Sequence, residues 1–192
     1  KFKAEELQLA KKFCEEYNKK TAVVKAKKTK KSNTDKRPLP PKKVGKGNGC
    51  ALYKKCGGCQ LQNMSYDEQL SFKQAKAIKT LGRFGHVEEI IGMDKPYHYR
   101  NKVQAAFGTT RGGKIISGVY QSSSHNIVLV DECKLEDKTA DEIIVDIRKM
   151  LPEFRLTAYN EDSGKGFLRH VLVKRAFSTG QVMVVLVTGH HL

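Results

Sequence analysis

Three of the five cysteines in this chain lie within ten residues of one another, and a fourth lies far downstream. Cys50, Cys56 and Cys59 have the spacing C-x5-C-x2-C, and Cys133 is the remote member. A C-x-x-C pair directs two thiolates toward one centre, and the intervening Gly57-Gly58 leaves backbone amides free to face sulfur. We therefore expect a metal or iron–sulfur site that ties this loop to a later part of the chain.

The identity of the metal is left open by the spacing. One compact group of thiolates and one remote thiolate suit a cubane iron–sulfur cluster. Structural zinc sites prefer two close pairs, and only Cys56 and Cys59 form such a pair. His125 could replace one ligand, but its polar Ser-Ser-Ser-His context favours a surface or RNA-facing histidine. Cys14 falls on the apolar side of a predicted helix, where a buried thiol is expected. Iron–sulfur, zinc and unligated cysteines all remain possible here.

Positive charge is concentrated at the start of the chain. The net charge is +16, and residues 1–49, with sixteen Lys or Arg and five Asp or Glu, supply +11 of it. Such a field attracts polyanions with salt-dependent affinity, so nucleic acid is the leading partner and an anionic membrane surface the second. We interpret residues 1–49 as a basic helical arm and linker, and residues 50–192 as a cysteine-bearing, RNA-binding domain.

No stretch of the sequence approaches the ~20 apolar residues that a membrane-spanning helix needs. The first residues also lack the apolar segment of a signal peptide. We therefore expect a cytoplasmic protein without a membrane partner. In that compartment cysteines are reduced or metal-bound rather than paired as disulfides.

The periodicity of apolar residues predicts an α+β fold. Helices are indicated over residues 2–20, after a capping box at Ser65, and after a second capping box at Thr139 with its end at Pro152. Period-two patterns predict about five antiparallel strands, over residues 100–108, 114–121, 126–130, 167–177 and 181–188. The third of these is the most continuously apolar, so we expect it to be central. Helices should pack against the sheet.

Basic and polar residues on the predicted strands and turns form a candidate RNA surface. Alternation places Arg100 and Lys102 on one face, where they could follow a phosphate backbone. The nearby rings of Tyr97, Tyr99 and Phe107 could stack on unpaired bases. The full set of predicted RNA contacts is Arg100, Asn101, Lys102, Arg111, Lys114, His125, Arg169, His170 and Lys174.

Several blocks of this sequence resemble a known family. Cys50-x5-Cys56-Gly-Gly-Cys59-Gln-Leu-Gln, Tyr99-Arg-Asn-Lys-Val-Gln104 and Leu168-Arg-His-Val are similar to segments of the RumA-type 23S rRNA (uracil-5-)-methyltransferases. The matching blocks occur in order over residues 50–188. In that family they belong to a central domain that carries a [4Fe-4S] cluster and helps to bind the RNA. The resemblance maps the four ligands onto Cys50, Cys56, Cys59 and Cys133.

The resemblance also implies what the 192 residues do not contain. The family binds S-adenosylmethionine in a C-terminal Rossmann-like domain, where a cysteine attacks the target uracil and carbon 5 receives the methyl group. No strand, Gly-rich loop and helix unit of that kind occurs here. We therefore expect part of a longer rRNA methyltransferase, inactive without a downstream catalytic domain of the same polypeptide. The alternative is a zinc-stapled RNA- or ribosome-binding module without enzymatic activity.

Overall fold

The computed structural model describes residues 12, 15, 16 and 49–189. The helix predicted over residues 2–20 and the Lys-rich linker lie outside this part, apart from Lys12, Glu15 and Glu16, which are helical. Between residues 49 and 189 the prediction of an α+β fold is confirmed. The elements are α1 (Tyr66–Leu81), β1 (Lys102–Thr109), β2 (Ile115–Tyr120), β3 (Ile127–Leu129), α2 (Lys138–Glu153), β4 (Leu168–Arg175) and β5 (Val182–Thr188).

The five strands form one antiparallel sheet in the order β3-β2-β1-β4-β5. The expectation that the third strand is central is therefore wrong, since β3 is an edge strand of three residues. Its apolar side chains have another use: Ile127 reaches across to β1, and its Cδ1 would lie 2.7 Å from a Cβ placed on Gly108. The apolar residues of β3 therefore pack over Gly108 of β1, two strands away in the sheet. They are not buried on both faces as those of a central strand would be.

One face of the sheet is covered by α2, and this packing is the core. The helix buries Ile143, Ile147 and Leu151 against strand residues such as Val103 and Val171. Because side chains alternate along a strand, the intervening residues of β1, β4 and β5 point to the other face. That second face has no helix over it in the described part of the chain and is called the open face below.

The second helix starts at a different cap from the one the sequence suggested. Its N-cap is Asp137 rather than Thr139, and the Asp137 carboxylate accepts hydrogen bonds from the backbone amides of Thr139 (3.0 Å) and Ala140 (3.3 Å). The chain is extended up to this point because Arg100 donates to Leu135 and accepts from Asp137 through backbone groups. Helical turns therefore begin two residues earlier than the capping-box pattern indicated. The helix ends at Glu153, with Pro152 inside its last turn.

The first helix has its predicted cap but not its predicted packing. Ser65 and Glu68 form the reciprocal capping box, with bonds of 3.3 and 2.7 Å. No residue of α1 is buried, and Ile78 and Leu81 are about half exposed. The helix is held instead by the segment that follows it, since the Met93 amide donates to the Tyr66 hydroxyl at 2.7 Å. Among the described residues, α2 is thus the helix that packs on the sheet.

Candidate metal centre and nucleic-acid interface

The three clustered cysteines lie on a compact loop before α1. The amide of Cys56 donates to the carbonyl of Leu52 at 2.8 Å, which closes one turn between Cys50 and Cys56. The amide of Gly58 donates to Cys56 Sγ at 3.3 Å. Amide hydrogen bonds of this kind stabilise sulfur in its charged form. In this loop, therefore, at least one cysteine sulfur accepts a hydrogen bond from a backbone amide.

The three thiols also influence one another. Burial raises the pKa of Cys59, the nearby Arg100 guanidinium lowers it, and Cys56 and Cys50 raise it further. Mutual repulsion of this sort means that ionising all three thiols together is unfavourable unless a cation is present. Cys50 and Cys56 thus lie close enough to Cys59 to raise the pKa of its thiol.

The segment that carries Cys133 lies directly beside this loop. Lys134 donates from Nζ to the carbonyl oxygen of Gly49 at 3.3 Å, which connects the neighbours of Cys133 and Cys50. Arg100 makes the second connection: its guanidinium donates to the Gly58 carbonyl at 3.1 Å, and its backbone amide donates to Leu135 at 2.9 Å. Two segments more than seventy residues apart in sequence are therefore brought together.

Cys133 has a more acidic neighbourhood than the other three cysteines. Burial raises the pKa of the Cys133 thiol to about 11, while backbone hydrogen bonds oppose that rise. Its amide donates to Asp141 Oδ2 at 2.8 Å. Burial and the neighbouring Asp141 carboxyl raise the pKa of Glu136. Cys133 is a protonated thiol in this environment unless a cation draws the proton off.

The donor chemistry fits a cluster or a metal ion, whereas the side-chain geometry does not form a closed site. All four thiols are half-buried and free, and they lie on two adjoining segments. In residues 12, 15, 16 and 49–189, however, no three His, Cys, Asp or Glu side chains are arranged to hold a metal ion. Binding would require the thiols to turn toward a common centre. The four-cysteine ligand set stays a prediction.

The cysteine loop also packs against the end of β2. Cys56 forms an isolated antiparallel bridge with Gln121. At Gly57 the two chains approach so closely that a Cβ would lie 3.1 Å from the carbonyl oxygen of Tyr120 and 3.3 Å from the amide of Ser122. Only glycine fits there without a shift of the backbone. The position of the loop therefore fixes the residues that follow β2.

Two of the predicted RNA contacts stand side by side at one end of the sheet. Lys102 of β1 pairs directly with Lys174 of β4, and both side chains are exposed. Opposed side chains in an antiparallel pair are about 5 Å apart at Cβ, and like charges in that position repel. Asn101 is next to this pair, and its carbonyl accepts from the Arg175 amide at 2.8 Å. This end of the sheet is locally basic.

Arg100 occupies a different place from the one predicted. Arg100 precedes β1, and its backbone forms an isolated parallel β-bridge with Glu136. Its guanidinium points to the carbonyl of Gly58 rather than along the sheet face that carries Lys102. Sequence alternation missed this because the regular strand begins only at Lys102. Arg111 and Lys114 lie in the exposed β1–β2 turn, roughly 24 Å from Lys102 at the rise of a strand.

A third group of predicted contacts gathers around a tyrosine that sequence reasoning did not single out. His125 and His170 flank Tyr120, with ring centroids at 5.9 and 6.2 Å. Arg169 donates to Glu161 Oε1 from Nε (3.2 Å) and Nη2 (2.9 Å), and the Tyr120 hydroxyl is 3.5 Å from the same oxygen. Nothing in the polar loop around Glu161 signals this role, whereas the exposed position of Tyr120 at a strand end could have done so.

The stacking residues proposed from the sequence are separated by the fold. Tyr97 and Tyr99 are 40 and 41% exposed, so their rings are accessible. Phe107 is 3% exposed and belongs to the core under α2, so its proposed stacking on RNA is wrong. Alternation along β1 assigns Phe107 to the same side as Val103 and Ala105, the side covered by α2.

The relatives found by comparison with known proteins carry the same kind of name. A protein of Clostridium acetobutylicum is 50% identical over 147 residues, which cover 73% of this chain and 32% of that protein. One from Clostridium tetani is 48% identical over 143 residues, with 72 and 31% covered. Both are named as uncharacterized RNA methyltransferases. This chain is related to part of such proteins. It spans about a third of the length of the curated relatives it matches.

A solved structure extends the likeness to three dimensions. The Pyrococcus abyssi tRNA (uracil-54, C5)-methyltransferase, in complex with S-adenosyl-L-homocysteine, is 33% identical with a TM-score of 0.57. The match covers 70% of this chain and 31% of that one. No family model matches the sequence. Within the described residues, no helix is long and apolar enough to cross a membrane.

Proposed function

We propose that this chain is the RNA-binding, cluster-bearing part of an S-adenosylmethionine-dependent RNA uridine C5-methyltransferase. The relatives named as RNA methyltransferases support the reaction class, and the structural neighbour supports uracil C5 as the position. Chemistry on the uridine belongs to the rest of the polypeptide, which also binds S-adenosylmethionine. The part described above binds RNA for that catalytic domain and has no methyltransferase activity alone.

The observation that carries the RNA-binding role is the exposed pair of Lys102 and Lys174. Two ammonium groups placed directly across a strand pair repel in the free protein. An anion bound between them removes that repulsion, and an RNA phosphate is the anion that fits a basic chain. The net charge of +16 adds long-range attraction of the same sign.

RNA affinity is therefore expected to fall steeply with salt. Each phosphate contact to a single strand contributes about −0.7 to the slope of log K against log salt concentration. The double variant Lys102→Ala/Lys174→Ala should reduce the slope by about 1 to 1.5, and deletion of residues 1–49 should reduce it further. Fluorescence anisotropy with a labelled rRNA fragment over a salt series measures both.

Lys149→Ala is the matched control, because Lys149 is an exposed lysine of α2 that pairs with Asp146. It should leave the slope unchanged. An unaltered slope in the double variant would remove Lys102 and Lys174 from the interface. A slope unaffected by the deletion would make the basic arm a solubility tail. The resemblance favours rRNA and the neighbour acts on tRNA, so a tRNA competitor in the same assay decides between them.

The proposed cofactor is a [4Fe-4S] cluster held by Cys50, Cys56, Cys59 and Cys133. When bound, a cluster with four protein thiolates would cross-link the Cys50–Cys59 loop to the segment of Cys133. It would have no open coordination position for a substrate. Around it, Arg100 offsets thiolate charge and holds both segments through Gly58 and Leu135. The Gly58 amide solvates Cys56. The residues of this chain thus prepare a structural centre next to the RNA surface.

Metal analysis of anaerobically purified protein tests this proposal. About four iron and four acid-labile sulfide per chain are expected, because a cubane cluster contains four of each. One zinc per chain without iron or sulfide would show that the four cysteines hold a structural zinc ion instead of a cluster. Protein with neither metal, yet with full RNA affinity, would make the four cysteines structural thiols.

A further inference from the structure

The residues around Tyr120 on the open face form a site that neither the cysteines nor the lysine pair uses. Tyr120 ends β2, and His170 is on β4, two strands away. Ala106, on β1 between them, is only 3% exposed although it faces away from α2. Its small side chain leaves room for the Tyr120 hydroxyl to come within 3.4 Å of His170 Nε2. An aromatic ring and an imidazole thus meet above a small residue.

The charges of this site cancel, which argues against a phosphate ligand. Arg169 donates two hydrogen bonds to one oxygen of Glu161, so its charge is already compensated. Burial and the neighbouring Arg169 lower the pKa of His170, so this imidazole is neutral near pH 7. A phosphate would need an uncompensated cation and would be repelled by the Glu161 carboxylate.

The accessible surfaces are those that a nucleobase can use. Tyr120 is 36% exposed and the His125 side chain is 89% exposed, and their rings are inclined at 44°. Unpaired RNA bases stack on rings presented in this way. The second carboxylate oxygen of Glu161 is 3.7 Å from His125 Nδ1, which is beyond hydrogen-bonding distance. Because the Glu161 side chain is 37% exposed, that oxygen can accept a hydrogen bond from a ligand in place of its ion-pair contact with His125.

We propose that Tyr120, His125 and Glu161 form a subsite for one unpaired base that carries an exocyclic amino group. The proposal rests on the RNA-binding function above and adds which base the surface selects. The base stacks on one of these two inclined rings and contacts the other at its edge, and Glu161 accepts a hydrogen bond from the amino group of the base. Uracil is disfavoured, because its ring N–H lies between two carbonyl oxygens that a carboxylate repels.

Anisotropy with labelled hexanucleotides of adenine, cytosine or uracil tests this selection in the full 192-residue chain. The unmodified chain should bind the adenine and cytosine oligomers roughly tenfold more tightly than the uracil oligomer. Glu161→Gln should bring the three affinities together. Tyr120→Ala should weaken all three by roughly tenfold through loss of stacking, while Tyr120→Phe should retain most of the affinity.

His125→Ala is the variant that keeps the test valid if Tyr120→Ala does not fold, because an 89% exposed side chain is not part of the core. It should weaken all three oligomers, and Lys149→Ala should weaken none. Salt-dependent RNA binding with the same affinities in Glu161→Gln and His125→Ala would overturn the subsite alone. Absence of RNA binding by the unmodified chain would overturn the proposed function and the subsite with it.

Discussion

Asp137→Ala is expected to destabilise the domain by about 3 to 4 kcal/mol. Asp137 is 4% exposed, caps α2 through one carboxylate oxygen and pairs with the Arg175 guanidinium through the other. Loss of a cap costs about 1 kcal/mol. Breaking a buried ion pair costs about 3 to 5 kcal/mol, of which Arg175 recovers part by turning to solvent. Urea unfolding followed by circular dichroism measures the change.

Arg175→Gln separates the two roles of Asp137. It removes the ion pair and leaves the cap on Thr139 and Ala140 in place, so it should cost less than Asp137→Ala by about the value of the cap. Asp137→Asn keeps an acceptor for the helix and should fall between the two. A loss below about 1 kcal/mol in Asp137→Ala would show that the ion pair contributes nothing net, as many exposed pairs do.

Under the proposed four-cysteine ligand set, Cys133→Ser is expected to lose most of the bound iron. A serine hydroxyl is similar in size but does not ionise near pH 7, so the remote ligand is lost while the packing is kept. Because Cys133 is on a different segment from the other three, its loss also removes the cross-link between them. Iron and sulfide analysis and thermal unfolding, each after anaerobic purification, should both report the change.

Cys14→Ser is the matched control, since the sequence sets Cys14 apart from the ligand group. It should keep the full iron content and the same midpoint of thermal unfolding. Retention of iron by Cys133→Ser would leave three ligands from the loop and a fourth from outside the cysteines. Equal loss in both variants would indicate a general effect of serine on folding rather than a ligand effect.

The sequence predicted the individual helices and strands of this fold better than it predicted which of them lie next to one another. Alternating β4 and β5, the Ser65 cap and the apolar side of α2 are local patterns, and the structure has all three. The position of β3 depends on which strand its apolar residues cover. That is a tertiary relation, and an edge strand lying over a glycine has the same composition as a central strand.

The same distinction explains the site. Spacing alone grouped Cys50, Cys56 and Cys59, because ligands on one loop are close in sequence. The juxtaposition with Cys133 depends on Arg100 and Lys134, whose contacts span 42 and 85 residues. No periodicity encodes such contacts. Glu161 was missed for the same reason: its significance comes only from the side chains that the fold places beside it.

The strand order has a consequence for how this chain behaves at high concentration. The sheet ends in β3 on one side and β5 on the other, and no further strand in residues 49–189 pairs with either outer edge. β5 has seven residues, none charged and none proline or glycine. Natural edge strands avoid self-association by being short, charged or interrupted, and β3 meets the first condition while β5 meets none. The outer edge of β5 is therefore an expected place for edge-to-edge pairing between separate copies of this chain.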